Sequence, residues 1–222
     1  EKKEEVNNMC VAILKTKGSK ITKDELLECW ETNDDGGGYA FAKDGKLFVK
    51  RSLDKDEFIS SLLKSIKTFD ANYLIHFRIA TSGTIDMLSN CHPFAIDRDN
   101  VFCHNGVMNN VQSNNKISDT RFFNKDILKQ MNFDFKNHSH LKLIEEFIGI
   151  GNKMIFLNKS GHYKIANEGI GTWQNGVWFS NLNHSCNYNR YNVKTYEDWY
   201  EESTINQFQL RPKKTKTKKK EI

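Results

Sequence analysis

The chain has 222 residues, with 33 Lys and Arg against 28 Asp and Glu, a formal net charge of +5 and 38% apolar residues. That length fits one domain with a short appendage, and domains of this size bury roughly 70% of their unfolded surface; 15 Phe, 7 Tyr and 4 Trp make up for the modest apolar fraction. Seven of the ten residues from Arg211 to Lys220 are basic, so the rest is near neutral and a body that grips nucleic acid along a face is not indicated. No apolar run approaches the roughly 18 residues of a membrane span.

In chain order, residues 1–9 are a polar extension or propeptide ahead of Cys10, and Val11 to Leu14 read as a strand. Thr22 caps a helix over Asp24 to Trp30, with Glu25 placed to complete a capping box. Tyr39 to Ala42 and Leu47 to Val49 flank Asp44-Gly45, a hairpin signal. Residues 54–68 are an amphipathic helix with Phe58, Ile59, Leu62, Leu63 and Ile66 on one stripe. Strands follow at 72–77, 93–96 and 101–103. Ser118-Asp119-Thr120 opens a helix into 121–130, and another covers 140–149. A hairpin joins Met154–Leu157 to His162–Ile165, Val177 to Phe179 is a short strand, and the chain turns Asn-rich after it. Strand clusters alternate with helix clusters and include hairpins, which favours an α+β fold with largely antiparallel sheets.

Three polar clusters stand out. Cys10 opens an apolar strand; alone, a small buried hydrophobe is its commoner fate. His76-Phe77-Arg78-Ile79-Ala80-Thr81-Ser82-Gly83, continuing to Asn90-Cys91-His92-Pro93-Phe94, puts an Arg at a strand end, suited to a carboxylate or simply exposed at an edge. Phe102-Cys103-His104-Asn105-Gly106 is either a tight turn or an oxyanion hole made of an amide side chain and the following N–H. Zinc is a weak rival: adjacent Cys-His side chains point to opposite strand faces and no CxxC spacing occurs. Five cysteines, an odd number, with no signal peptide argue for a reducing, cytoplasmic setting.

In their order along the chain, Cys10, Asp35-Gly36-Gly37-Gly38-Tyr39, HxRxATxG, NxHPF, HNG, SDT and Trp178-Phe179-Ser180-Asn181 resemble the glutaminase domain of class II glutamine amidotransferases, which are N-terminal-nucleophile hydrolases. The resemblance spans residues 10–182. It implies a four-layer αββα sandwich of two antiparallel sheets, and an enzyme needing no cofactor and no metal. It also implies that Cys10 attacks the glutamine carboxamide, with its own freed α-amino group as base. The oxyanion would rest on the Asn105 side chain and the Gly106 N–H. Arg78 would hold the α-carboxylate, Asp119 the α-ammonium, and Thr81 would make a further contact with glutamine. Ammonia leaves and water hydrolyses the γ-glutamyl thioester. His76, His92 and His104 read as structural.

The mechanism requires Cys10 to be the first residue of the mature chain. Met9 is a natural initiator, residues 1–8 fit an external or propeptide segment, and the remaining reading is an inactive domain acting as a structural or interaction module. Residues 183–222 form a C-terminal extension too short for a synthetase domain. No phosphate-binding Gly-rich loop occurs, so an ammonia acceptor is expected on a partner protein. The Lys-rich stretch Lys213 to Lys220 is a solvated tail or a contact for nucleic acid or an acidic partner. The Lys-, Asn- and Ile-heavy composition suits an AT-rich genome such as that of a phage or a low-GC bacterium.

Overall fold

The computed structural model describes residues 9–80, 88–111 and 116–182. Thr81, residues 1–8 and the extension from residue 183, with its Lys-rich tail, lie outside the described residues.

One antiparallel sheet has the order β3-β2-β4-β1-β10-β9. It comprises β1 (Val11–Lys15), β2 (Gly37–Lys43), β3 (Lys46–Ser52), β4 (Tyr73–Phe77), β9 (Thr172–Gln174) and β10 (Val177–Phe179). The second, also antiparallel, runs β5-β6-β7-β8, from β5 (Phe94–Ala95), β6 (Asn100–Asn105), β7 (Lys153–Asn158) and β8 (Tyr163–Ala166).

Strand alternation builds the layers. Ala12, Leu14, Ala40, Leu74 and Trp178 from the first sheet pack against Val101, Cys103, Ile155, Leu157 and Ile165 from the second. The intervening residues of β1, Val11 and Ile13, face the other way. They meet α1 (Lys23–Thr32) and α2 (Lys55–Thr68) through Leu26, Trp30, Phe58 and Leu62. On the far face of the second sheet, Phe102, Met154 and Phe156 are covered by Phe123, Leu128, Ile144 and Ile148. These come from α3 (Asp119–Phe123), the π-helical turn Asn124–Leu128 that continues it, and α4 (His138–Ile148). The order of layers is αββα.

The local chemistry matches the expectations. Thr22 accepts from the Glu25 N–H at 3.2 Å while the Glu25 carboxylate takes the Thr22 N–H at 2.7 Å, which completes the capping box. Asp54 caps α2 and Ser118 caps α3. Asp44 and Gly45 sit at φ 50° and 71°, the left-handed pair that a tight β2–β3 hairpin needs. The helix expected over 121–130 tightens differently: α-helical bonding stops at Phe123 and the next turn is wider. Strand β9 was not anticipated. It pairs with β10 across Asn175-Gly176, both at positive φ, so the turn signal was present, but three residues are too few to show alternation.

Candidate active site

The loop and strand ends at one edge of the two sheets converge on a cleft whose walls include Cys10, Arg78, Asn90, Gly106 and Asp119. Cys10 stands immediately before β1, the strand between β4 and β10. It is clamped from the end of β10: the Asn181 amide donates to the Cys10 carbonyl at 2.8 Å. Ser180 exchanges backbone and side-chain bonds with Ala12 at 2.9 Å each.

The Cys10 thiol meets only backbone. Sγ lies 3.3 Å from the Ile79 carbonyl and accepts the Ile79 N–H at 3.3 Å. Burial pushes its pKa up to about 11, outweighing the lowering effects of the Ile79 backbone and the Arg78 guanidinium. At neutral pH it is a thiol and needs a base, yet among the described residues no imidazole or carboxylate is hydrogen-bonded to it.

The histidines next to it are committed elsewhere. Asn152 donates its amide N–H to the Ile148 carbonyl at 2.6 Å, so its Oδ1 is the acceptor facing His104 Nε2 at 2.8 Å. His104 is therefore protonated on Nε2, and Nδ1 accepts from the Thr120 hydroxyl at 2.8 Å. His76 donates from Nε2 to the His104 carbonyl at 3.0 Å, and His92 Nδ1 accepts the His104 N–H at 3.3 Å. Burial lowers the pKa of all three, that of His76 to about 3. They are neutral framework groups, as their motif positions suggested.

Arg78 and Asp119 are both buried and both on the cleft wall. Arg78 follows β4 and is held to the Asp35-Gly36 turn by backbone bonds of 3.1 and 2.8 Å. Its Nη1 reaches the Asp35 carbonyl at 3.4 Å, and the Asp35 carboxylate takes the Ala80 N–H at 2.7 Å. Asp119 opens α3; Oδ2 accepts the Met108 N–H at 2.8 Å and Oδ1 the Thr120 N–H at 2.6 Å. Asn152, His104 and the Thr120 hydroxyl are bonded in series, and the Thr120 backbone N–H donates to that carboxylate. Sequence reasoning left Asn152 unassigned, because it reaches the site only through the fold.

Gly106 also lines the cleft. Its φ is 135°, and a Cβ there would lie 2.2 Å from Asn152 Oδ1, so glycine is required both by conformation and by space. Asn105 is not on the wall. Its side chain is buried and donates to Ser180 Oγ at 2.6 Å, while its own Oδ1 has no partner among the described residues. Cys103 faces the inter-sheet core and His104 the opposite side, which separates the pair that zinc would need. Among the described residues no group of three or more candidate ligands gathers. No described helix is long and apolar enough to cross a membrane.

The cleft is narrow, about 30 Å³.

Residues 27–124 match the family described as Glutamine amidotransferases class-II. The matched stretch contains Arg78, Asn105, Gly106 and Asp119 but begins after Cys10. No curated protein matches the chain.

Proposed function

We propose, starting from the class II glutamine amidotransferase domain that this chain carries, that it hydrolyses the side-chain amide of glutamine through a Cys10 thioester. The observation that carries this reading is the isolation of the thiol. Cys10 stands between β4 and β10 beside a buried Arg and a buried Asp, with no side-chain base among the described residues bonded to it. A base must come from elsewhere, and a free α-amine of Cys10 itself, with a pKa near 8, is suited to the task.

In that form the thiol proton passes to the α-amine as Sγ attacks the glutamine carboxamide carbon. The oxyanion is met by the Gly106 N–H and by the Asn105 amide, once the walls bring Asn105 forward from Ser180. The C–N bond breaks, the α-ammonium returns its proton to the leaving nitrogen, and ammonia departs. Water then attacks the thioester, giving glutamate and restoring the thiol. Arg78 and Asp119, opposite charges on one cleft, suit the α-carboxylate and α-ammonium of a free amino acid. Thr81, three residues after Arg78, is proposed as a further glutamine contact. The reading takes residues 10–182 as the catalytic domain, with an acceptor for the ammonia on a partner protein.

A second reading is an amidotransferase-like module without activity. It is favoured by a thiol pKa raised to about 11 when residues precede Cys10. Incubation with glutamine, with glutamate and ammonia as readouts and Cys10→Ala alongside, separates the two. Activity lost in the variant supports the enzyme. No activity from a chain verified to begin at Cys10 supports the module.

A further inference from the structure

A second and larger cleft, about 390 Å³, lies between the end of β3, β5 and the α3–π-turn segment. Its charged lining residues, among those described, are all cations: Arg51, Arg121, Lys125 and Lys129, with Phe94 forming part of the wall. Arg51 is the informative one. Its Nε and Nη2 both donate to the Pro93 carbonyl, and its guanidinium lies 5.8 Å from the Phe94 ring centroid. No ion pair within 4 Å joins it to a described carboxylate. Burial lowers its pKa, Cys91 acts to raise it and the neighbouring Arg121 to lower it. The Pro93 carbonyl satisfies two of its donors but carries no charge, so an anion in the cleft would offset the cost of its desolvation.

The other cations are placed to share that anion. Lys125 and Lys129 both reach the cleft from the π-helical turn. Lys125 has a 3.8 Å solvent-exposed pairing with Asp126, a residue that is not in the lining. Arg121 donates from Nη1 to Ser89 and to Asn90 at 3.0 and 3.2 Å. Asn90 lines the Cys10 cleft, so one hydrogen bond links a residue of each cleft.

From this cavity and its cations we infer that the cleft at Arg51, Arg121, Lys125 and Lys129 is a binding site for a small phosphate-bearing molecule. A phosphate monoester supplies a dianion whose oxygens match the planar guanidinium fork and can accept from both lysines. The cations gather around one cleft of about 390 Å³, which suits a single phosphate group on a small molecule. The site is independent of the glutaminase reading and stands or falls separately from it.

Isothermal titration of the full chain with inorganic phosphate and with glucose 6-phosphate tests it, against glucose and sodium chloride at matched ionic strength. Saturable binding of one equivalent is expected for one or both phosphate probes, and their relative affinity tells free phosphate from an ester. Lys125→Glu/Lys129→Glu should bind roughly tenfold or more weakly, as charge-assisted bonds are lost. The equal charge change Lys136→Glu/Lys142→Glu, made elsewhere on the surface, should bind as the parent does. Unfolding midpoints without ligand check that each variant folds, and Lys125→Met/Lys129→Met serves if the reversal does not. Because the Lys-rich tail is present in every arm, it cannot account for the difference between the double variants. The site is refuted if the parent shows no saturable binding, if the Lys125/Lys129 variants bind unchanged, or if both glutamate pairs weaken binding equally.

Discussion

Ser180→Ala isolates the clamp that ties the strand after Cys10 to the HNG segment. The Ser180 hydroxyl is buried and receives two donors, the Ala12 N–H at 2.9 Å and the Asn105 amide at 2.6 Å. Alanine leaves both without a partner in a space closed to water. Each unpaired buried group costs about 1–3 kcal/mol, so the variant should lose roughly 2–6 kcal/mol of stability. For a domain of this size that corresponds to a fall of roughly 4–24 °C in the unfolding midpoint. Urea unfolding of the parent, Ser180→Ala, Asn105→Ala and the double variant measures it. The shared bond predicts a coupling of about 0.5–3 kcal/mol between the two sites. A loss below about 0.5 kcal/mol, the range of ordinary surface changes, would refute the reasoning, as would strict additivity with Asn105→Ala.

Four further outcomes follow from the same geometry. Gly106→Ala forces a Cβ against the Asn152 oxygen at a positive φ and should cost about 1–3 kcal/mol from backbone strain alone; chemical denaturation that shows no change counts against it. In the chain that retains residues before Cys10, iodoacetamide should alkylate that thiol slowly at pH 8, with a rate that climbs toward pH 11; a profile centred at the ordinary thiol value near 8.5 contradicts the enclosed thiol. His76 is neutral when folded and its pKa is lowered to about 3, so between its unfolded value near 6.5 and pH 3 the unfolded chain binds the proton first and stability falls as pH falls. The urea midpoint should drop from pH 7 to pH 4 less steeply in His76→Asn, and equal slopes would sink that assignment. His104→Ala removes the bonds that join Asn152 and Thr120 beside Asp119 and should raise KM for glutamine more than it lowers kcat; a pure kcat effect would show that these bonds do not position Asp119 for the substrate.

Elements with strong local chemistry were readable from sequence: the capping box at Thr22–Glu25, the Asp44-Gly45 turn and the apolar stripe of α2 each match the structure. Strand β9 escaped because its three residues carry no periodicity, and the π-helical turn escaped because its sequence continues a helical pattern. At the site, Arg78, Gly106 and Asp119 were found by motif and do converge on the Cys10 cleft. Asn105 was found too, yet its amide is turned to Ser180 rather than to the cleft. Ser180, Asn181 and Asn152 had no readable role, since each acts by bridging segments far apart in sequence: Ser180 lies 168 residues from Ala12, and Asn152 48 from His104. The cluster of cations around Arg51 likewise exists only once β3 meets the α3 segment.

The most direct test of the account pairs an intact mass with an activity. Glutamate release from glutamine should appear in preparations whose chain begins at Cys10, vanish in Cys10→Ala, and be absent while residues before Cys10 remain attached. Full glutaminase activity from a chain whose mass shows those residues still in place would contradict the N-terminal amine as the base, and with it the central mechanism.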